Sequence, residues 1–355
     1  MASRRDPWLD NAKALLITAV VAGHVLAVLP GDHALRDHLY DAVYVVHMPA
    51  FILVSGYLSQ RFRWSRRHLT SLVTTLVVPY VVFTLVLHGM YLAHVGENTE
   101  EPILLDPFWA LWFLAALTLW RLASPVLRSS VIMVPLSVAV SLLSPTFDST
   151  PELALTRALQ FLPYFVIGLH ARAEWLEQLK RPAARVLGVL ALVAIWVVTA
   201  DLDSWASTTW LFSNHSYDAL GADTSTGILT RSFLLVCSLA GSLAVLSLTP
   251  TARGWWTGVG VQSMTVYLGH TVVVQALEYD GALDALPPGQ ATRAGLVVSL
   301  LVVAALAAPP VVRPLRWLTD PVGATKDLRA ALRQGPRSAA RPVEAPRPDR
   351  EPARA

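Results

Sequence analysis

The chain has 355 residues, 54% of them hydrophobic and 15% charged, with a mean hydropathy of +0.48. This is too apolar for a water-soluble chain of that length, and it marks a polytopic membrane protein. The net charge of +3 does not indicate a nucleic-acid partner, because the basic residues fall in short loops between apolar runs and in the tail.

A helix needs roughly 20 apolar residues to cross the hydrocarbon of a bilayer. On that criterion the sequence predicts an all-α, polytopic transmembrane bundle of about ten helices, at 9–29, 41–59, 70–93, 107–123, 130–144, 153–170, 184–200, 226–249, 259–278 and 291–312. No cleavage-site pattern follows the first apolar run, so a removable signal peptide is not expected. Cys237 lies inside an apolar run, and a single cysteine excludes an intramolecular disulfide or a thiolate metal cluster.

The basic residues set the expected orientation. With both termini in the cytoplasm, all of them except Arg36, Arg157, Arg231 and Arg293 lie on the cytoplasmic side, and the outer loops carry Glu97, Glu100, Glu101 and Asp106. The predicted site is the plasma membrane. Residues 1–320 form the membrane-embedded domain, and 321–355, rich in Pro, Ala and Arg, read as a disordered cytoplasmic tail. The longest outer loop, 201–226, holds Trp205, Trp210, Phe212, His215 and Tyr217. It either folds over an outward-facing pocket or anchors its tryptophans at the interface.

Ionisable groups inside spans are functional candidates, since placing them in lipid is costly. The first span carries Asp10-Asn11-Ala12-Lys13 and then Gly23-His24. Eleven residues at 100° each return Lys13 and His24 to nearly the same face, about 16 Å apart along the axis. Lys13 is either functional or a snorkelling lysine paired with Asp10 one turn back. His24 is deeper, where a helix–helix hydrogen bond is the structural alternative. The second span contains His47-Met48-Pro49, with His47 expected near its outer end at the depth of His24 and Pro49 in its first turn. Two histidines without further ligands nearby do not make a zinc site, so no metal is expected.

In the following loop, Arg63 and Arg66 suit phosphate, or else serve only as topology signals. Trp109-x-x-Trp112-Phe113-Leu114 opens the fourth span, and Arg157 and Gln160 precede Phe161-Leu162-Pro163-Tyr164-Phe165 in the sixth. Arg231 enters the eighth, and the ninth carries Ser263 and Tyr267-Leu268-Gly269-His270, where His270 is either a packing or a functional residue.

Taken in order over residues 8 to 275, five of these pieces resemble the acyltransferase 3 family of integral membrane O-acyltransferases, in its fucose 4-O-acetylase-like branch. They are Asp10–Lys13 with Val21-Ala22-Gly23-His24, His47–Phe51 with Ser55-Gly56-Tyr57, Trp112-Phe113-Leu114, Phe161–Phe165 with Gly168, and Tyr267–His270. The resemblance implies an acyl-CoA donor, acetyl-CoA by default, drawn from the cytoplasm, and an acceptor hydroxyl on a carbohydrate, other envelope component or metabolite. The family's essential histidine falls on His24. Its basic partner, usually arginine, is here Lys13, a point charge in place of a fork. The family's loop arginines fall on Arg63 and Arg66. A basic residue often found before the third-span Pro-Tyr is absent, since Thr75 precedes Leu76-Val77-Val78-Pro79-Tyr80.

Acyl transfer from a thioester to an alcohol needs a base, a cradle for the oxyanion and exclusion of water. The expected assignments are His24, with Lys13 and His47, for catalysis; Arg63, Arg66 and Lys13 for the donor phosphates; and Arg231, Trp112, Arg157 and His270 for the acceptor. A secondary transporter or exporter of a small polar or glycan-related solute is the alternative, although no inverted repeat or paired set of broken helices is present.

Overall fold

The computed structural model describes residues 6–96, 103–147, 152–320, 322–325 and 328–329. Arg4, Arg5, Glu97, Glu100, Glu101 and most of the predicted tail lie outside the described residues. Among those described there are helices and no strands, as the composition requires. Two pieces of the tail segment, 322–325 and 328–329, are helical.

The helices are α1 (Pro7–Ala27), α2 (Ala34–Ser59), α3 (Arg66–Val95), α4 (Trp109–Leu127), α5 (Met133–Thr146), α6 (Glu152–Gln160), α7 (Leu162–His170), α8 (Ala173–Leu179), α9 (Pro182–Thr199), α10 (Thr208–Phe212), α11 (Thr224–Leu248), α12 (Trp255–Val261), α13 (Ser263–Tyr279), α14 (Pro288–Ala307) and α15 (Pro309–Thr319). All ten predicted spans fall on helices, and among the described residues seven helices are long and apolar enough to cross a membrane. The helix pair α6–α7 makes an eighth if counted as one span. It bends by 64° at Phe161, where Pro163 starts α7 in the first-turn position that a missing N–H tolerates. Helix α5 is short, and α13 has 17 residues with Thr265, His270, Thr271 and Gln275 buried along it.

Helix α1 packs against α2, α12, α13 and α14, and α2 in turn packs against α7 and α11. The start of α1 is fixed by Asp6, whose carboxylate accepts from the Trp8 backbone N–H at 2.9 Å, and by Pro7 in the first turn. The peripheral α9 shows the opposite character: Val186, Leu187, Leu190 and Val197 are exposed on a helix whose apolar window is 17% buried, the signature of a lipid-facing element.

Helix α2 begins earlier than expected, at Ala34, because Asp37 and Asp41 make its first two turns polar and hide them from an apolar-run criterion. His47 and Pro49 therefore lie mid-helix and not at its outer end or in its first turn. Gly23 faces Val43 and Tyr44 across the α1–α2 seam, which sets His47 about one turn deeper than His24. In α3 the segment Val73–Val77 is π-helical just ahead of Pro79, whose ring removes one ladder donor.

Asn11 is buried and fully satisfied. Its amide donates to the carbonyls of Pro250 (2.7 Å) and Ala252 (2.9 Å), and its oxygen accepts from the Thr257 hydroxyl at 2.7 Å. It staples the loop before α12 to α1, and a Cβ at Gly260 would collide with the Asp10 carbonyl in the same contact. We expect Asn11→Leu to cost roughly 1–3 kcal/mol, from the loss of three hydrogen bonds, of which the one to the Thr257 hydroxyl is buried. The measurement is thermal unfolding in detergent; an unchanged midpoint would contradict the stapling role.

Candidate active site

A cavity of about 150 Å³ opens between α1, α2, α4, α6 and α13, and His24, His47, Trp109, Trp112, Arg157 and Tyr267 line it. His24 reaches it from the last turn of α1 and is 8% exposed. Behind it His270, fully buried on α13, brings its Nε2 within 2.8 Å of His24 Nδ1, and His270 Nδ1 lies 3.2 Å from the Val266 carbonyl.

With both rings neutral, this chain of contacts assigns their tautomers. The Val266 carbonyl can only accept, so His270 Nδ1 carries the hydrogen and its Nε2 is an acceptor. His24 Nδ1 must then donate to it, which leaves His24 Nε2 as a lone pair without a protein partner. The arrangement resembles a base whose orientation a second group holds. The indole of Trp109 caps the His24 ring with centroids 4.5 Å apart.

His47 adds a second acceptor. Its Nδ1 donates to the Val43 carbonyl at 2.8 Å, and its Nε2 is buried with no hydrogen-bond partner. Arg157 lies over the Trp112 ring, 5.2 Å from its centroid, and Trp112 in turn stacks on Phe161. Tyr267 ties α13 to α4 through its hydroxyl bond to the Ala110 carbonyl, and Trp120 ties α4 to α6 by a 2.9 Å bond to the Ala158 carbonyl.

The backbone is strained around this cavity. The non-glycine residues with positive φ among those described are Trp109 (41°), Leu153 (50°), Ala154 (54°) and Ser213 (57°). Trp109 lines the cavity, Leu153 and Ala154 start the helix that presents Arg157, and Ser213 follows the lining residue Phe212. Such conformations persist where the surrounding packing over-determines them, and they gather at functional sites.

The aromatic loop between α9 and α11 folds over the cavity. Leu211 and Phe212 of α10 line it, while Trp210 and Tyr217 are buried beneath and do not stand as interfacial anchors. Thr208 fastens the loop to Asp41 of α2 (2.7 Å), and Gln160 donates to the His215 carbonyl (3.1 Å). Arg231 does not enter the main cavity. It donates to the Trp210 carbonyl at 3.1 Å from a neighbouring pocket of about 20 Å³, where it supports α10 from below.

The remaining predicted residues lie elsewhere. Lys13 pairs with Asp10 at 2.7 Å, as the one-turn spacing predicts, and it does not line the cavity. The Arg63 backbone N–H donates to His68 in the exposed α2–α3 connection, and Arg66 lines a separate cavity of about 660 Å³ with Arg67, Thr70, Thr74 and Asp320. The structure thus brings His24, His47, Trp112, Arg157 and His270 together and leaves Lys13, Arg63 and Arg66 apart from them. Tyr40 and Tyr44 also line the cavity. Their spacing with His47, i, i+4 and i+7, places all three on one helix face and was the available signal for them. No group of three or more His, Cys, Asp or Glu side chains suited to a metal ion occurs among the described residues.

The chain is similar to known proteins over most of its length. A nodulation protein NolL of Sinorhizobium fredii is 27% identical over 291 residues, covering 75% of this chain and 77% of that protein. A second nodulation protein NolL, from Mesorhizobium japonicum, is 42% identical over 60 residues, covering 16% of each chain. No solved structure matches. The family model described as an acyltransferase domain matches residues 6–309, so the chain belongs to the acyltransferase 3 family and is a multi-pass membrane enzyme that transfers acyl groups to hydroxyls.

Proposed function

We propose that this enzyme moves an acetyl group from cytoplasmic acetyl-CoA to a hydroxyl of a sugar, cell-envelope glycan or metabolite, with His24 as the general base. The observation that carries the reading is the His24–His270 contact, since it leaves one imidazole nitrogen of a neutral His24 free to accept a proton at the wall of the cavity. The acceptor oxygen gives its proton to His24 Nε2 and attacks the thioester carbon, and the departing thiolate takes the proton back.

Donor and base are assigned to opposite ends of α1. Lys13, Arg63 and Arg66 are taken to receive the phosphates of CoA at the cytoplasmic mouth, about 16 Å from His24 along the helix, a distance that the extended pantetheine arm bridges. The acceptor lies against the aromatic walls of Trp109 and Trp112, with the α10 loop excluding water from the thioester. Both termini are placed in the cytoplasm and the enzyme in the plasma membrane.

Membrane vesicles given labelled acetyl-CoA and a panel of glycans should transfer label to the acceptor. If no acyl group moves from any acyl-CoA tested, the reading fails. His270 is a positioning residue in this scheme. We expect His270→Phe to lower kcat roughly 10–100-fold with little change in KM, and His270→Gln, which can still accept from His24, to retain more of it. Equal loss in both variants would argue for a packing role alone.

A further inference from the structure

Arg157 is a half-buried cation on the cavity wall that the protein itself does not neutralise. Among the described residues no carboxylate lies within ion-pair distance of it, its Nε is enclosed without a hydrogen-bond partner, and its guanidinium rests on the face of Trp112. Asp106, in the loop before α4, feels this charge without touching it: burial pushes its carboxyl above the usual range, and the Arg157 cation pulls it the other way. A guanidinium left without a carboxylate in a membrane domain is costly, so the negative charge it answers comes from what the cavity holds.

The reaction forms such a charge on the thioester carbonyl oxygen before the thiolate leaves. A hydroxyl and a thioester are both neutral, and neither requires a permanent anion at the reacting centre. When the acceptor oxygen bonds to the thioester carbon, the carbonyl π electrons move onto its oxygen and a negative charge forms there, while the acceptor's proton sits on His24. On collapse that pair returns to re-form the carbonyl, the carbon–sulfur bond breaks, and the thiolate leaves and is protonated from His24. His24 and Arg157 face the same cavity of about 150 Å³, so a carbonyl presented to one lies within the field of the other.

We propose that Arg157 is a catalytic residue that stabilises the oxyanion formed during acyl transfer. The proposal rests on the reading of His24 as base. The guanidinium is pre-oriented: its helix α6 begins at the left-handed Leu153 and Ala154, is bonded to Trp120 through the Ala158 carbonyl, and is held by the Gln160 contact to the α10 loop. Donors fixed before the charge appears need no reorganisation when it forms, and this is where electrostatic stabilisation is strongest.

The test is steady-state kinetics of the full chain in vesicles with acetyl-CoA and an acceptor that the wild type acetylates. Arg157→Gln should lower kcat by about 10²-fold while KM for donor and acceptor each stay within about threefold, since the charge is met in the transition state alone. Arg157→Lys should fall between, and methylguanidinium should partly restore Arg157→Ala. Should Arg157→Gln not purify as a monodisperse protein, Arg157→Lys with its charge kept and its fork lost decides the matter. A rise in acceptor KM with kcat preserved would overturn the proposal in favour of an anionic acceptor, and unchanged kinetics in all three variants would also overturn it. A wild type inert with every acyl-CoA sinks the functional reading as well, whereas an active wild type with indifferent Arg157 variants sinks only this one.

Discussion

Replacing His24 by alanine should reduce acyl transfer roughly 10²–10⁴-fold, the range over which a positioned general base contributes. The loss should fall on kcat, with the donor KM held, because CoA's phosphates are assigned to the other end of α1. His24→Gln tests the point more finely. Its amide can still donate to His270 Nε2 and fill the space under Trp109, but it offers no basic nitrogen to the cavity. A variant that purifies like the wild type yet transfers no label separates chemistry from folding. Transfer by His24→Gln at the wild-type rate would remove the imidazole from the mechanism.

The second large effect is structural. Gly56 of α2 and Gly168 of α7 form a reciprocal contact: a Cβ on Gly56 would sit 2.1 Å from the Phe165 carbonyl oxygen, and one on Gly168 would sit 2.0 Å from that of Leu53. In each case the obstacle is helix backbone, which cannot step aside as a flexible side chain can, so the helices themselves must separate. Small residues at such seams let membrane helices approach closely. Gly56→Val or Gly168→Val should therefore cost more than about 3 kcal/mol, above the usual overpacking penalty. Either should show as loss of folded, monodisperse protein on detergent extraction. Gly89 on α3 is the control. Nothing lies within 4 Å of its missing Cβ, so Gly89→Ala should be neutral or stabilising by up to about 1 kcal/mol. If Gly56→Val extracts as well as Gly89→Ala, the α2–α7 contact is looser than described. This seam matters for the site too, since α7 continues from the helix that carries Arg157 and α2 carries His47.

Much of this protein was legible in one dimension. Ten apolar runs located the helices, because hydrocarbon imposes a length on any segment that crosses it and a composition on the face that meets it. His24, His47, Arg157, Arg231 and His270 could be picked out singly, because an ionisable side chain in an apolar run is expensive enough to need a reason. The Lys13–Asp10 pair was legible because both partners lie within one helical turn. The start of α2 was not, since the length criterion sees apolar residues and its first two turns carry aspartates.

Only the tertiary structure decided which of those costly groups belong together. His24 and His270 are 246 residues apart, and no local pattern states that the second orients the first. Arg157 joined them while Arg231, its equal in sequence, turned to support the α10 loop from a separate pocket. The positive φ of Trp109 is equally invisible in a string of letters, because no glycine marks it and it is held by packing around the cavity. The solvent a chain must live in is written residue by residue, so the sequence determined the membrane bundle and the list of polar groups it must accommodate. A site is a set of distances between segments remote along the chain, and the meeting of α1, α2, α4, α6 and α13 is what made one cavity out of that list.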